Sequence, residues 1–170
     1  MTQFPTSAQP YVLQNTTSPT YWNVGILWAM LATGDQTAGS YSLMEEWCPK
    51  DSGPTPHYHE QDEAFYIIEG TITYMANGQQ MQATTGGFVS IPKGTVHSFR
   101  VDSQSAHILN FYAPAGFENI ILALAEPAPT RTIPPKDHQE TQPDIRTLLA
   151  LFQQHGTYLV EEPDVLRQTL

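Results

Sequence analysis

The chain has 170 residues, a length at which one domain buries roughly two thirds of its unfolded surface and folds without a disulfide framework. With 40% hydrophobic and 11% aromatic residues it has the material for a core, which excludes wholesale disorder. Seven basic residues stand against seventeen acidic ones, a net charge of -10; such a surface repels phosphate backbones and anionic lipid, so nucleic-acid and membrane partners are not expected. The first basic residue is Lys50, and the opening residues are polar, unlike a secretory signal. The longest apolar run, 24–32, is too short to span a bilayer. The single cysteine, Cys48, has no partner for an intrachain disulfide; it fits a reducing compartment and reads as a small packing residue. A cytoplasmic protein is expected.

In chain order, residues 1–21 carry Pro5, Pro10 and Pro19 among Thr, Ser and Gln, and read as an extended arm with a short strand at Tyr11-Val12-Leu13. Short β-like runs follow at 24–32, 40–47, 64–69, 71–75, 80–83, 88–91, 95–101 and 106–112. Turn signals separate them: Thr33-Gly34-Asp35, Asn77-Gly78, Gly86-Gly87 and Pro92-Lys93-Gly94. Asn77-Gly78 is a two-residue hairpin signal. Strands at this spacing argue for a sandwich, jelly roll or barrel over 22–113. Beyond Pro114 the period changes. Phe117, Ile120, Ile121 and Leu124 recur at helical spacing up to Pro127, and Ile145, Leu148, Leu149 and Phe152 form the face of a second helix from about Pro143 to His155, with Gly156 suited to its C-cap. Residues 114–170 are therefore expected to be a helical extension packed outside the β-domain.

The segment His57-Tyr58-His59-Glu60-Gln61-Asp62-Glu63 carries the chemistry. In an extended strand alternate side chains share a face, so His57 and His59 point the same way, and Glu63 keeps that parity. A third imidazole is available from His97, just past the Pro92-Lys93-Gly94 turn. Three nitrogens and one carboxylate oxygen form a borderline divalent-metal environment with positions left for water, dioxygen or substrate.

The full pattern resembles the two signature motifs of the cupin family. The first runs His57-x-His59, three residues, Glu63, six residues, Gly70; the second runs Gly86, five residues, Pro92-x-Gly94, two residues, His97. Eight residue types at fixed offsets match by chance on the order of 10⁻¹⁰ per register. Two positions depart. The glycine that usually opens the first motif is Asp51 here, with Gly53 displaced toward the histidines, and the asparagine that often closes the second is Val101. The resemblance implies an all-β fold: a small jelly-roll barrel with an N-terminal arm (1–21), the cupin barrel (22–113) and two C-terminal helices (114–170). It implies one divalent transition metal per chain (Fe, Mn, Ni, Co, Cu or Zn), held by His57, His59, Glu63 and His97, and a homodimer.

The runs 63–70, 87–92 and 97–100, the exit Leu109-Asn110-Phe111-Tyr112-Ala113-Pro114 and the hairpin around Thr33-Gly34-Asp35 are similar to the quercetin dioxygenase-like branch. That branch implies ring opening of a flavonol, or a similar enolisable aromatic, by dioxygen. Glu63 would take the 3-hydroxyl proton, dioxygen would add across the central ring and carbon monoxide would leave. Strand alternation turns Phe65, Ile67, Phe99 and Val101 inward as candidate substrate-lining residues. Another metal-cupin reaction (isomerase, decarboxylase or other ring-opening oxygenase) and a non-catalytic binding or sensing module are the alternatives. Of the remaining histidines, His107 faces the cavity or the outside, while His138 and His155 are expected to be solvated. Glu45-Glu46 reads as a solvated hairpin face with one member turned inward.

Overall fold

The computed structural model describes residues 9–14, 16–141 and 143–160. The part of the expected arm at residues 1–8 and 15, and the end of the extension at residues 161–170, lie outside the described residues.

Among the described residues, twelve strands form two antiparallel sheets. The seven-stranded sheet has the order β11 (Glu126–Pro127), β1 (Thr20–Asn23), β2 (Ile26–Ala32), β3 (Ser42–Pro49), β10 (Ser105–Ala113), β5 (Asp62–Glu69) and β8 (Phe88–Ile91). The five-stranded sheet has the order β12 (Thr157–Leu159), β4 (His57–His59), β9 (His97–Val101), β6 (Thr71–Ala76) and β7 (Gln79–Thr84). The inner faces follow the period-2 pattern. In β5, Glu63, Phe65 and Ile67 are buried while Asp62, Tyr66 and Glu69 are exposed; in β10, Ala106, Ile108, Asn110 and Tyr112 point inward. Both sheets feed one core, with Met44, Ile67 and Ile108 on one side and Ile72, Tyr74 and Val101 on the other. This is the expected jelly-roll barrel.

Local chemistry explains the joints. Asn77 and Gly78, at φ 48° and 75°, both take the left-handed conformation that a two-residue hairpin between β6 and β7 requires. Gly53 has φ 149°, and a Cβ there would lie 1.9 Å from the Phe99 carbonyl oxygen, so the chain before β4 presses directly on the backbone of β9. Asp51, in place of the usual motif glycine, itself has φ 65°, a region that Asp tolerates better than most residues.

The ends of the chain differ from a plain arm and a helical annex. Tyr11-Val12-Leu13 is not a strand; the Tyr11 hydroxyl instead donates to the Leu31 carbonyl at 2.7 Å. Proline-rich backbone cannot supply a continuous row of donors, and side-chain bonds hold it. The two expected helices form as α2 (Glu118–Leu124) and α3 (Ile145–Gln154), the latter capped by Asp144, whose carboxylate accepts from the amides of Arg146 and Thr147. A helical turn, α1 (Gly34–Thr37), occupies the turn after β2; Glu118 ties it to α2 by accepting from the amides of Gly34 and Gly116, each at 2.7 Å. The region after residue 113 also supplies strands to both sheets: β11 pairs with β1, and β12 pairs with β4. Between them the connector is fastened by Trp22 Nε1 donating to the Thr132 carbonyl and by the Glu140 carboxylate accepting from the amides of Val24 and Gly25. No helix among the described residues is long and apolar enough to cross a membrane.

Candidate metal centre and its cavity

His57 and His59 lie on β4, His97 lies directly across from His57 on β9, and Glu63 lies on β5. The chain does not stay extended from His59 to Glu63. It bends at Glu60-Gln61 and passes from the five-stranded to the seven-stranded sheet, so Glu63 meets the histidines from across the barrel. One ring nitrogen from each of the three buried histidines falls within 4.8 Å of the others. Glu63 Oε2 is 3.0 Å from His59 Nε2 and 2.9 Å from His97 Nε2.

A repeated backbone device sets the tautomers. Each Nδ1–H donates to a carbonyl two residues away: His57 to Thr55 at 2.9 Å, His59 to Gln61 at 2.8 Å and His97 to Thr95 at 2.8 Å. With the proton held on Nδ1, a neutral ring presents its Nε2 lone pair to the centre. Lone pairs and a carboxylate oxygen then face one another with no donor between them, an arrangement that a bound cation or an added proton reconciles. The donor set is thus fitted to a divalent metal of the imidazole-binding kind. In the bare protein protons do the reconciling. Burial opposes the charge on Glu63, but hydrogen bonds from His59 and His97 hold its pKa down to about 2. Burial likewise disfavours protonation of His97, yet the bond to Glu63 and its charge raise that pKa. Burial first, then the positive charge of His97, lowers His57 to about 4.

His57, His97 and Glu63 border a cavity of about 410 Å³, within the range that encloses a small organic ligand. Its wall is mostly apolar, with Trp28, Phe65, Phe99 and Phe117 among the lining residues. Ile120 and Leu124 of α2, Leu148 and Phe152 of α3, and Leu159 of β12 also line it, so the C-terminal elements partly cover the barrel mouth. Of the four expected lining residues, Phe65 and Phe99 reach the cavity. Ile67 and Val101 face inward too, but two residues further along their strands, where they are fully buried in the core and absent from the wall.

Other expectations shift with register. Glu45-Glu46 is not a solvated face: both are buried, Glu46 on the inner face with Met44 and Cys48, and Glu45 on the outer face beside His107, which stacks on Trp47 at 4.3 Å. His138 is not solvated either; it packs edge-on against Trp22 at 4.9 Å and pairs with Glu126. Cys48 is fully buried, as a packing residue should be. The motif reading missed Glu46, Asn110 and Tyr112, which border the same cavity. The alternation Met44-x-Glu46-x-Cys48, apolar on both sides of the acid, was the available signal.

Comparison with known proteins agrees with this architecture. The cupin domain family matches residues 43–112. Quercetin 2,3-dioxygenase of Bacillus subtilis is 32% identical over 128 residues, covering 75% of this chain and 38% of that protein. Quercetin 2,3-dioxygenase of Aspergillus japonicus is 25% identical over 162 residues, covering 86% of this chain and 46% of that protein. The chain therefore spans less than half the length of either relative. Among solved structures, an RmlC-like cupin from Shewanella frigidimarina superposes with a TM-score of 0.58 at 15% identity, over 65% of this chain and 96% of that one. That likeness concerns the fold alone. With the barrel, the matched domain and the sequence relatives in agreement, the chain has the cupin fold, carries a cupin domain over residues 43–112 and is similar in sequence to quercetin 2,3-dioxygenases.

Proposed function

We propose that the protein is a metal-dependent dioxygenase that opens the central ring of a flavonol or a similar enolisable aromatic compound. The observation that carries this reading is the junction of a three-histidine, one-carboxylate cluster with an aromatic-lined cavity, in a chain whose sequence relatives include two quercetin 2,3-dioxygenases. His57, His59, His97 and Glu63 would hold one divalent ion. The ion would supply Lewis acidity and a meeting point for the enolate and dioxygen.

The chain's own contribution is positional and protonic. Phe65, Phe99 and Phe117 offer flat apolar surface for an aromatic ring, and the apolar side chains of α2, α3 and β12 extend that surface toward the mouth. Glu63 receives the substrate hydroxyl proton. The two hydrogen bonds that depress its pKa come from the Nε2 atoms of His59 and His97. With those nitrogens turned to an ion and the carboxylate swung off it, Glu63 is free to act as the base.

The test is flavonol bleaching, followed with an oxygen electrode, on protein loaded separately with Fe, Mn, Ni, Co, Cu or Zn. Uptake with at least one metal, abolished in Glu63→Gln, is expected. His97→Ala should weaken metal binding by more than the roughly 10–100-fold typical of outer-shell changes. A fully metallated protein that consumes no dioxygen with any of the six would overturn the dioxygenase. Turnover of a non-flavonol would then point to another metal-cupin reaction, and metal-independent ligand binding without turnover to a binding module.

A further inference from the structure

The polar side chains on the cavity wall outside the metal centre include Glu46 on β3, Asn110 on β10 and Asn23 on β1. These three are 1%, 2% and 4% exposed. A polar group buried in so apolar a wall costs stability unless something answers it. Part of the answer is internal: Asn110 Nδ2 donates to Glu46 Oε1 at 2.7 Å and to the Tyr112 hydroxyl at 3.1 Å. The rest is unanswered. Neither Asn110 Oδ1 nor Asn23 Oδ1 has a hydrogen-bond partner among the described residues, and Glu46 Oε2 has only the weak thiol of Cys48 at 3.8 Å.

Strand register places this group relative to the metal. Tyr112 sits directly opposite Glu63, and Ile108 directly opposite Glu46, with Asn110 between them on the same inward face of β10. Same-face neighbours on a strand are about 7 Å apart. The unanswered acceptors therefore begin one such step from the level of Glu63, which suits a second point of attachment on one flat ligand.

We propose that Glu46 and Asn110 form a subsite that receives a phenolic hydroxyl of an aromatic ligand whose other end lies at the metal centre; this rests on the reading of the cavity as an aromatic substrate's chamber. A hydroxyl is the matching chemistry because it donates to a free amide oxygen and accepts from a carboxylic acid. Burial pushes the pKa of Glu46 up to about 8, in spite of the Asn110 hydrogen bond, so the carboxyl carries its proton at neutral pH and offers no charge to an ammonium ion.

Phenol and toluene, near-identical in shape, test the subsite in the zinc-loaded full chain, with affinities taken from ligand-observed NMR titration. Glu46→Leu is expected to weaken phenol at least about fivefold, the worth of one hydrogen bond, and to leave toluene unchanged or tighter. Glu46→Gln should keep phenol within about twofold. Asn110→Leu should show the same phenol-specific loss and serves if Glu46→Leu does not fold. Phenol and toluene moving in parallel, phenol indifferent to both leucine variants, or phenol failing to bind the wild-type chain would each overturn the subsite. Dioxygen uptake with a flavonol is read separately. A phenol-specific loss in a protein inert toward flavonols keeps the subsite and sinks the dioxygenase, and turnover without that loss does the reverse.

Discussion

Glu46 and Glu63 share one barrel interior, and their surroundings drive them in opposite directions. Glu63 has two imidazoles against one oxygen and is held at about 2; Glu46 has an amide, a thiol and apolar wall, and burial takes it to about 8. The signs of their effects on stability differ accordingly. For Glu46 the unfolded chain gives up its proton near pH 4.5 while the folded chain keeps it to about 8, so its contribution is fully present below 4.5 and is lost as the pH climbs through that window. For Glu63 the contribution is present above 4.5 and is lost as the pH falls toward 2. Urea midpoints of the metal-free protein should therefore fall between pH 5 and 8 more steeply in the wild type than in Glu46→Gln; parallel slopes would place Glu46 in contact with water. Glu63 was legible from motif spacing. Glu46 was not, because a Glu-Glu pair reads as a wet hairpin face until strand parity shows which member the barrel encloses.

At the level of the elements, strands long enough to show several alternations were legible in the sequence. β5, β6, β8 and β10 fall within a residue or two of the runs at 64–69, 71–75, 88–91 and 106–112. β1, β11 and β12 have two to four residues each and carry no period to read; tertiary pairing makes them strands. Gly53 is the most exacting joint. An alanine methyl there would meet backbone, which cannot rotate away, so Gly53→Ala should cost more than about 2 kcal/mol and lower the melting temperature in calorimetry. Because the clash falls on Phe99, two residues from His97 on the same strand, metal affinity should fall along with it. A melting temperature within a degree or so of the wild type would refute the close approach.

Across the whole molecule, the metal-binding candidates come from both sheets and the cavity is partly covered, a partial closure made by chain that lies beyond the barrel strands. Phe152 of α3 lines that closure while remaining only half-buried. Phe152→Ala should widen the mouth at little cost to the core. Stopped-flow quenching of tryptophan fluorescence, with Trp28 in the cavity wall as reporter, should show a flavonol both arriving and leaving several-fold faster, with a melting temperature lower by only a few degrees. Unchanged rates would mean that ligands reach the cavity by another route. This closure escaped the sequence reading for a physical reason: the periodicity of α3 identifies an apolar face but not the surface that receives it.

The pairing of β12 with β4 also has a consequence in time. Strand β4 is only three residues long, and its register with β9 is the single pair His57 and His97, whereas β12 meets it at all three positions. A ribosome adds roughly 5–20 residues each second, so His57, His59, Glu63 and His97 emerge seconds before Thr157–Leu159, the segment that flanks β4. A nascent barrel would for that interval carry an unbraced His-x-His edge, and the site would mature only once Thr157–Leu159 has been made and paired.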